Sequence, residues 1–76
     1  MLLRLPKVGM EMTEAVLAHW HVEDGALVSA GQPLYTLETE KVENDVDAPV
    51  AGVVRRIAVA GMTYQVGDEV AEIIER

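Results

Sequence analysis

Two lysines are present among the 76 residues, Lys7 and Lys41, and the second stands in unusual company. Glu38, Glu40, Glu43, Asp45 and Asp47 surround it. An acidic setting of this kind suits a partner with a basic surface, and equally a solvated face that keeps the chain soluble. Other chemistries lack parts. There is no cysteine, so neither a disulfide nor a thiolate metal site can form. Ser29 and the threonines have no base partner in view, which leaves a hydrolase unsupported. His19 and His21 flank Trp20 and would share one face of a strand, half of a metal site. Zinc asks for three or four ligands and the sequence offers no third, so a solvated strand face is the expectation and no metal is assigned. The glycines do not form a phosphate loop, because no helix follows them.

The elements that must position Lys41 are strands. Val, Ile, Leu, Thr and Tyr come in short runs broken by Gly, Pro, Asp and Asn. The pattern predicts strands over Leu2 to Lys7, Ala15 to Val22, Pro33 to Thr39, Glu43 to Ala48, Gly52 to Val59 and Glu69 to Glu75. Two very short ones are expected near Leu27–Val28 and Tyr64–Gln65. No stretch keeps a 3.6-residue period over three turns, so the class is all-β, a sandwich or barrel.

The chain also repeats itself. Ala15-Val-Leu-Ala-His-Trp-His-Val22 reads against Gly52-Val-Val-Arg-Arg-Ile-Ala-Val59, with Val16 on Val53, Trp20 on Ile57 and Val22 on Val59. After a one-residue gap, Gly25 falls on Gly61, Gly31 on Gly67, Leu34 on Val70 and Leu37 on Ile73. Each half reads strand, Gly turn, short strand, Gly turn, strand, which implies a pseudo-twofold fold. Glu38 to Pro49 lies between the halves and matches neither. If the strands on its two sides pair antiparallel, the turn centres on Glu40-Lys41-Val42 and exposes Lys41. Alternation then sets Glu43, Asp45 and Asp47 toward solvent, with Val42 and Val46 toward the core. Trp20 is read as core.

At these residues the chain resembles the lipoyl domains of the biotin/lipoyl attachment family. Leu5-Pro6-Lys7-Val8-Gly9-Met10-Glu11-Met12-Thr13-Glu14 is similar to their opening strand and loop. Glu38-Thr39-Glu40-Lys41-Val42 is similar to their modification motif, and Ala48-Pro49-Val50-Ala51-Gly52-Val53 to the turn after it. Gly67-Asp68 and the last strand complete a likeness that covers nearly the whole chain. The resemblance implies one lipoyl carrier domain over residues 1–76, a flattened β-barrel or sandwich of two four-stranded antiparallel sheets. It implies lipoate in amide linkage on Lys41, a swinging arm carrying acyl groups and electrons. The domain would be a carrier and not itself an enzyme, as in the acyltransferase components of 2-oxo-acid dehydrogenase complexes.

Implied partners are a lipoate ligase or lipoyl transferase, a thiamine-diphosphate-dependent 2-oxo-acid decarboxylase, an acyl acceptor and dihydrolipoamide dehydrogenase. Implied recognition residues are Glu40, Val42 and Glu38 beside the lysine, with Gly9, Met10 and Glu11 in the neighbouring loop. Val42 departs from the Ala that many lipoyl domains carry there. Biotin-carrier relatives usually flank their lysine with Met, so Glu40 and Val42 favour lipoate. The alternatives are a biotin carboxyl carrier and an unmodified adaptor of the same fold. Which 2-oxo acid is served is not written in the motif.

Composition sets the bounds. A domain this short buries only about 60% of the surface its unfolded chain exposes, which leaves little room for a deep cleft. The formal net charge of −7 argues against nucleic acid, and Arg55-Arg56 is too small a basic patch to reverse that. No apolar run approaches membrane-spanning length, and the first ten residues lack a signal-peptide core. The expectation is a monomeric isolated domain with no membrane partner, in the bacterial cytoplasm or the mitochondrial matrix.

Overall fold

A computed structural model describes residues 1–7 and 12–76. Eight strands follow one another: β1 (Leu2–Arg4), β2 (Glu14–Trp20), β3 (Leu27–Val28), β4 (Pro33–Glu38), β5 (Glu43–Asp47), β6 (Gly52–Arg56), β7 (Thr63–Gln65) and β8 (Glu69–Glu75). They form two four-stranded sheets, in the orders β1-β8-β6-β3 and β5-β4-β2-β7. Every pairing is antiparallel.

Adding four to each strand number, counted cyclically, turns one sheet into the other. This is the pseudo-twofold expected from the repeat, and it reaches further than the sequence match. The segment between the halves matches neither in sequence, yet β5 holds the place in its sheet that β1 holds in the other. The backbone carries the same symmetry. Gly25 and Gly61, matched in sequence, have φ of 88° and 87°, a region open to glycine at no steric cost. Gly31 and Gly67 are the second such pair.

The expected strands are all present, and several stop early for identifiable reasons. β1 ends at Arg4 and not Lys7, because Pro6 has no N–H to extend a ladder. β6 ends at Arg56 and not Val59, since Ile57 and Ala58 both send their N–H to Val70 O and the register is lost. β2 ends at Trp20, after an irregularity between Leu17 and His19.

The core lies between the sheets. Leu17, Leu34, Tyr35 and Leu37 from one sheet meet Val54, Val70 and Ile73 from the other, with Leu5 closing one side. Gly52 is fixed by a close approach: a Cβ there would run into the Ile74 carbonyl of β8. Trp20 packs partly against this core, edge to face with Tyr35 at 5.1 Å, and donates from Nε1 to Ala58 O at 3.1 Å. Its sequence counterpart Ile57 is 50% exposed, so the repeat does not carry that core position over.

Candidate functional site: the β4–β5 hairpin

β4 and β5 pair from Pro33–Asp47 up to Glu38–Glu43, which leaves residues 39 to 42 as the connection. Thr39 closes it. Its N–H donates to Val42 O at 2.9 Å, and its Oγ1 accepts the Val42 N–H at 3.2 Å. A threonine hydroxyl at the first position of a turn thus stands in for a backbone carbonyl. Glu40 and Lys41 are the two residues between, and both are exposed. No salt bridge among the described residues involves Lys41. The amine is therefore presented at a hairpin apex, as the pairing argument expected.

Val42 corrects the alternation argument. It is 46% exposed and not turned to the core, because it belongs to the turn, where the two-residue period of the strand does not extend. Val46, inside β5, does pack against the core. Glu38 and Glu43 are exposed and directly opposite one another, so two like charges flank the base of the hairpin. Glu38, Glu40 and Val42 all lie within two or three residues of Lys41 on this one projection. Gly9, Met10 and Glu11 lie outside the described residues.

Asp45 is not a free member of the acidic patch. Thr36, 2% exposed on β4, donates its hydroxyl to Asp45 Oδ1 at 2.6 Å. His21 Nε2 lies 3.3 Å from the same oxygen. The Thr36 hydrogen bond, then the His21 hydrogen bond and the nearby imidazoles, hold the Asp45 carboxyl below its ordinary value. His19 and His21 share the outer face, as expected, with Trp20 on the other.

Sequence reasoning missed two residues here. Thr39 was readable, since a threonine ahead of a turn commonly bonds the backbone two or three residues on. Thr36 was not, because its partners come from strands nine and fifteen or more residues away.

A surface amine on a rigid projection can be acylated by an enzyme that reads the fold around it. Strand-paired arms on both sides hold the apex away from the body of the domain.

Comparison with known proteins identifies the family. The family described as "Biotin-requiring enzyme", the biotin/lipoyl family, matches residues 2–73. The chain is 38% identical over 72 residues to the dihydrolipoyllysine-residue succinyltransferase component of the 2-oxoglutarate dehydrogenase complex of Rickettsia conorii, covering 93% of this chain and 18% of that protein. It is 43% identical over 67 residues to the dihydrolipoyllysine-residue acetyltransferase component of the pyruvate dehydrogenase complex of Mycoplasma capricolum, covering 87% of this chain and 15% of that protein. The chain thus spans less than a fifth of these relatives. In fold it is similar to the lipoyl domain of the 2-oxoglutarate dehydrogenase complex from Azotobacter vinelandii, with a TM-score of 0.80 at 24% identity over 97% of this chain and 95% of that one. The chain therefore belongs to the biotin/lipoyl attachment family, and its likeness within that family is to lipoyl domains.

Proposed function

We propose that Lys41 is the attachment point for lipoate and that the domain works as a carrier within a 2-oxo-acid dehydrogenase type of complex. The observation that carries this reading is the presentation of Lys41 at the apex of the β4–β5 hairpin, closed beneath it by Thr39. The attachment chemistry fits the residues present: forming an amide needs an accessible primary amine and no further ligand from the protein. When attached, the dithiolane supplies acyl transfer and two-electron thiol–disulfide chemistry.

The chain's own contribution is placement. The antiparallel arms of β4 and β5 fix where the arm is rooted, and the exposed apex turns it toward solvent. Tethering then raises the effective concentration of the carried group at each partner site. Proposed partners are a lipoate ligase or lipoyl transferase, a thiamine-diphosphate-dependent decarboxylase, and dihydrolipoamide dehydrogenase. The relatives named as acyltransferase components of dehydrogenase complexes support the decarboxylase and the dehydrogenase in this set. Glu40, Val42 and Glu38 are proposed as the recognition residues next to the lysine, with Gly9, Met10 and Glu11 from earlier in the chain. A basic partner surface would meet the acidic rim formed by Glu38 and Glu43.

A biotin carrier is the second reading, favoured by the family's own description. The residues on either side of Lys41 speak against it. The experiment is lipoylation in vitro with a lipoate ligase, lipoate and ATP, comparing the native chain with Lys41→Arg. A single lipoyl mass on the native chain and none on the variant is expected. Equal labelling of both chains would move the attachment point elsewhere.

A further inference from the structure

β5 is the edge strand of its sheet, with β4 as its one neighbour. None of its five side chains is buried, and of these Val46 alone packs partly against the core. A slip of one residue turns every side chain of a strand to the other face, and in a strand this polar little apolar burial opposes it. The slip matters because the loop between β4 and β5 holds Lys41. Moving the pairing by one residue takes the lysine off the apex. The base of the hairpin is anchored: Ala48 is buried, donates to Gln32 O at 2.8 Å and accepts the Gly31 N–H at 2.7 Å. Pro33 then faces Asp47 while Tyr35 faces Val46, so β4 has one residue more than β5 between these pairs. The extra residue breaks the ladder locally, and the pairs on the apex side need a registration of their own.

Those pairs are unequal. Glu38 and Glu43 set like charges directly opposite one another, which is unfavourable. Leu37 is buried while its partner Asn44 is exposed. Tyr35 and Val46 supply packing on the core side. Thr36 and Asp45 supply a fixed point on the outer face. Thr36 Oγ1 lies 2.6 Å from Asp45 Oδ1, 2.7 Å from His21 Nε2 and 3.3 Å from His19 Nε2. A carboxylate only accepts, so the hydroxyl gives its one proton to Asp45 and accepts from the imidazoles. A one-residue slip would set Thr36 against Asn44 or Val46 and strand a buried hydroxyl. His21 also grips β4 through the backbone, its N–H donating to Leu34 O at 2.7 Å beside the break in the ladder. The contacts run from β2 through β4 to β5 and oppose sliding of the edge strand.

From this we infer that Asp45 is a positioning residue for Lys41: by holding Thr36 it locks the β4–β5 register and so keeps the lysine at the apex. The inference rests on Lys41 being the lipoate acceptor. Asp45 stands four residues beyond Lys41 and acts through the strand. Its carboxyl is held below the ordinary value, first by the Thr36 hydrogen bond, so the acceptor stays ionised at neutral pH. Without the bond, the partial packing of Val46 is left to set the register against the repulsion of Glu38 and Glu43. Two registers then become comparably populated.

The test compares the whole native chain with Asp45→Ala, Asp45→Asn and Thr36→Val. Asp45→Asn removes the charge and keeps an acceptor oxygen. Thr36→Val keeps the shape and removes the hydroxyl at a buried position out of a ligase's reach. The first readout, independent of lipoylation, is NMR: cross-strand contacts and relaxation dispersion of the backbone amides. Asp45→Ala and Thr36→Val should show a second register on the β4–β5 hairpin and none on β6 and β8, while Asp45→Asn keeps one register. The second readout is lipoate ligase kinetics. With about half the chains out of register, KM for the domain should about double in Asp45→Ala and Thr36→Val, with kcat unchanged. Asp45→Asn should restore the native KM. Circular dichroism checks folding, and should Asp45→Ala not fold, Thr36→Val decides. If the native chain takes no lipoate, the reading of Lys41 fails by itself, and the NMR comparison still decides whether Asp45 holds the register. A single register in both Asp45→Ala and Thr36→Val, an unchanged KM, or a KM raised as much by Asp45→Asn would overturn the proposal.

Discussion

The Thr39 hydroxyl accepts the Val42 N–H at 3.2 Å and so ties the two ends of the turn that holds Glu40 and Lys41. The same pair is joined through the backbone, Thr39 N–H to Val42 O at 2.9 Å. The apex is thus a defined loop and not a slack tether.

Thr39→Val should loosen it. The shape is nearly kept and the hydroxyl is lost, so the Val42 N–H turns to water. For an exposed hydrogen bond the stability cost should sit near the low end of about 0.5–1.5 kcal/mol. The larger effect is expected in lipoylation, as a raised KM for the domain with little change in kcat. Thr39→Ser should restore it. Steady-state ligase kinetics on the three chains check this, and an unchanged KM in Thr39→Val would remove Thr39 from the presentation of Lys41.

Lys41→Ala should leave the fold intact. The side chain is exposed, and surface substitutions of this kind usually stay within about 0.5 kcal/mol. Thermal unfolding of the variant should overlay that of the native chain. A fall of more than a few degrees would make Lys41 structural and contradict its place at a solvent-facing apex.

Gly52→Ala should be costly although the change is one methyl. The new Cβ meets backbone, the Ile74 carbonyl on the neighbouring strand β8, and backbone cannot step aside as a side-chain end can. Overpacking of this kind costs about 1–3 kcal/mol. In a domain this short, each 1 kcal/mol lowers the melting temperature by about 4–8 °C. Urea denaturation would read the loss directly, and a neutral result would mean that β6 and β8 can separate freely.

Alkali should attack the core through Tyr35. Burial pushes its phenol up from 10.0 to about 12. The folded chain therefore holds that proton more tightly than the unfolded chain does. Its contribution is undiminished below pH 10 and is lost as pH rises from 10 toward 12. Tyr35→Phe keeps the ring and removes the titration, so its stability should fall less steeply over that window. Parallel denaturation curves at pH 9 to 12 (an alkaline series chosen to span the shift) would show it; identical slopes would assign alkaline sensitivity to other groups.

Much of this was legible in the chain. The eight strands, the two halves and the hairpin lysine follow from local signals: β-rich runs, glycines at matched intervals, and a motif in register with both. What escaped was set by contacts between strands. Val42 broke the alternation because a turn, unlike a strand, has no period. β5 became the counterpart of β1 although no sequence match links them, because closing each sheet needs an edge strand in that position. Thr36 gathered two histidines and Asp45 because of register across three strands, which no window along the sequence can see. The early ends of β1 and β6 came from Pro6 and from the shared acceptor Val70 O.

The central claim is that Lys41 is a lipoyl acceptor. The most direct measurement is peptide mapping by mass spectrometry after parallel incubation of the chain with a lipoate ligase and with a biotin ligase, each with its own substrate. The account predicts lipoyl mass on the peptide containing Lys41 and no biotin. Biotin on that peptide without lipoate would move the chain to the carboxylases, and no modification by either enzyme would leave an adaptor that only shares the fold.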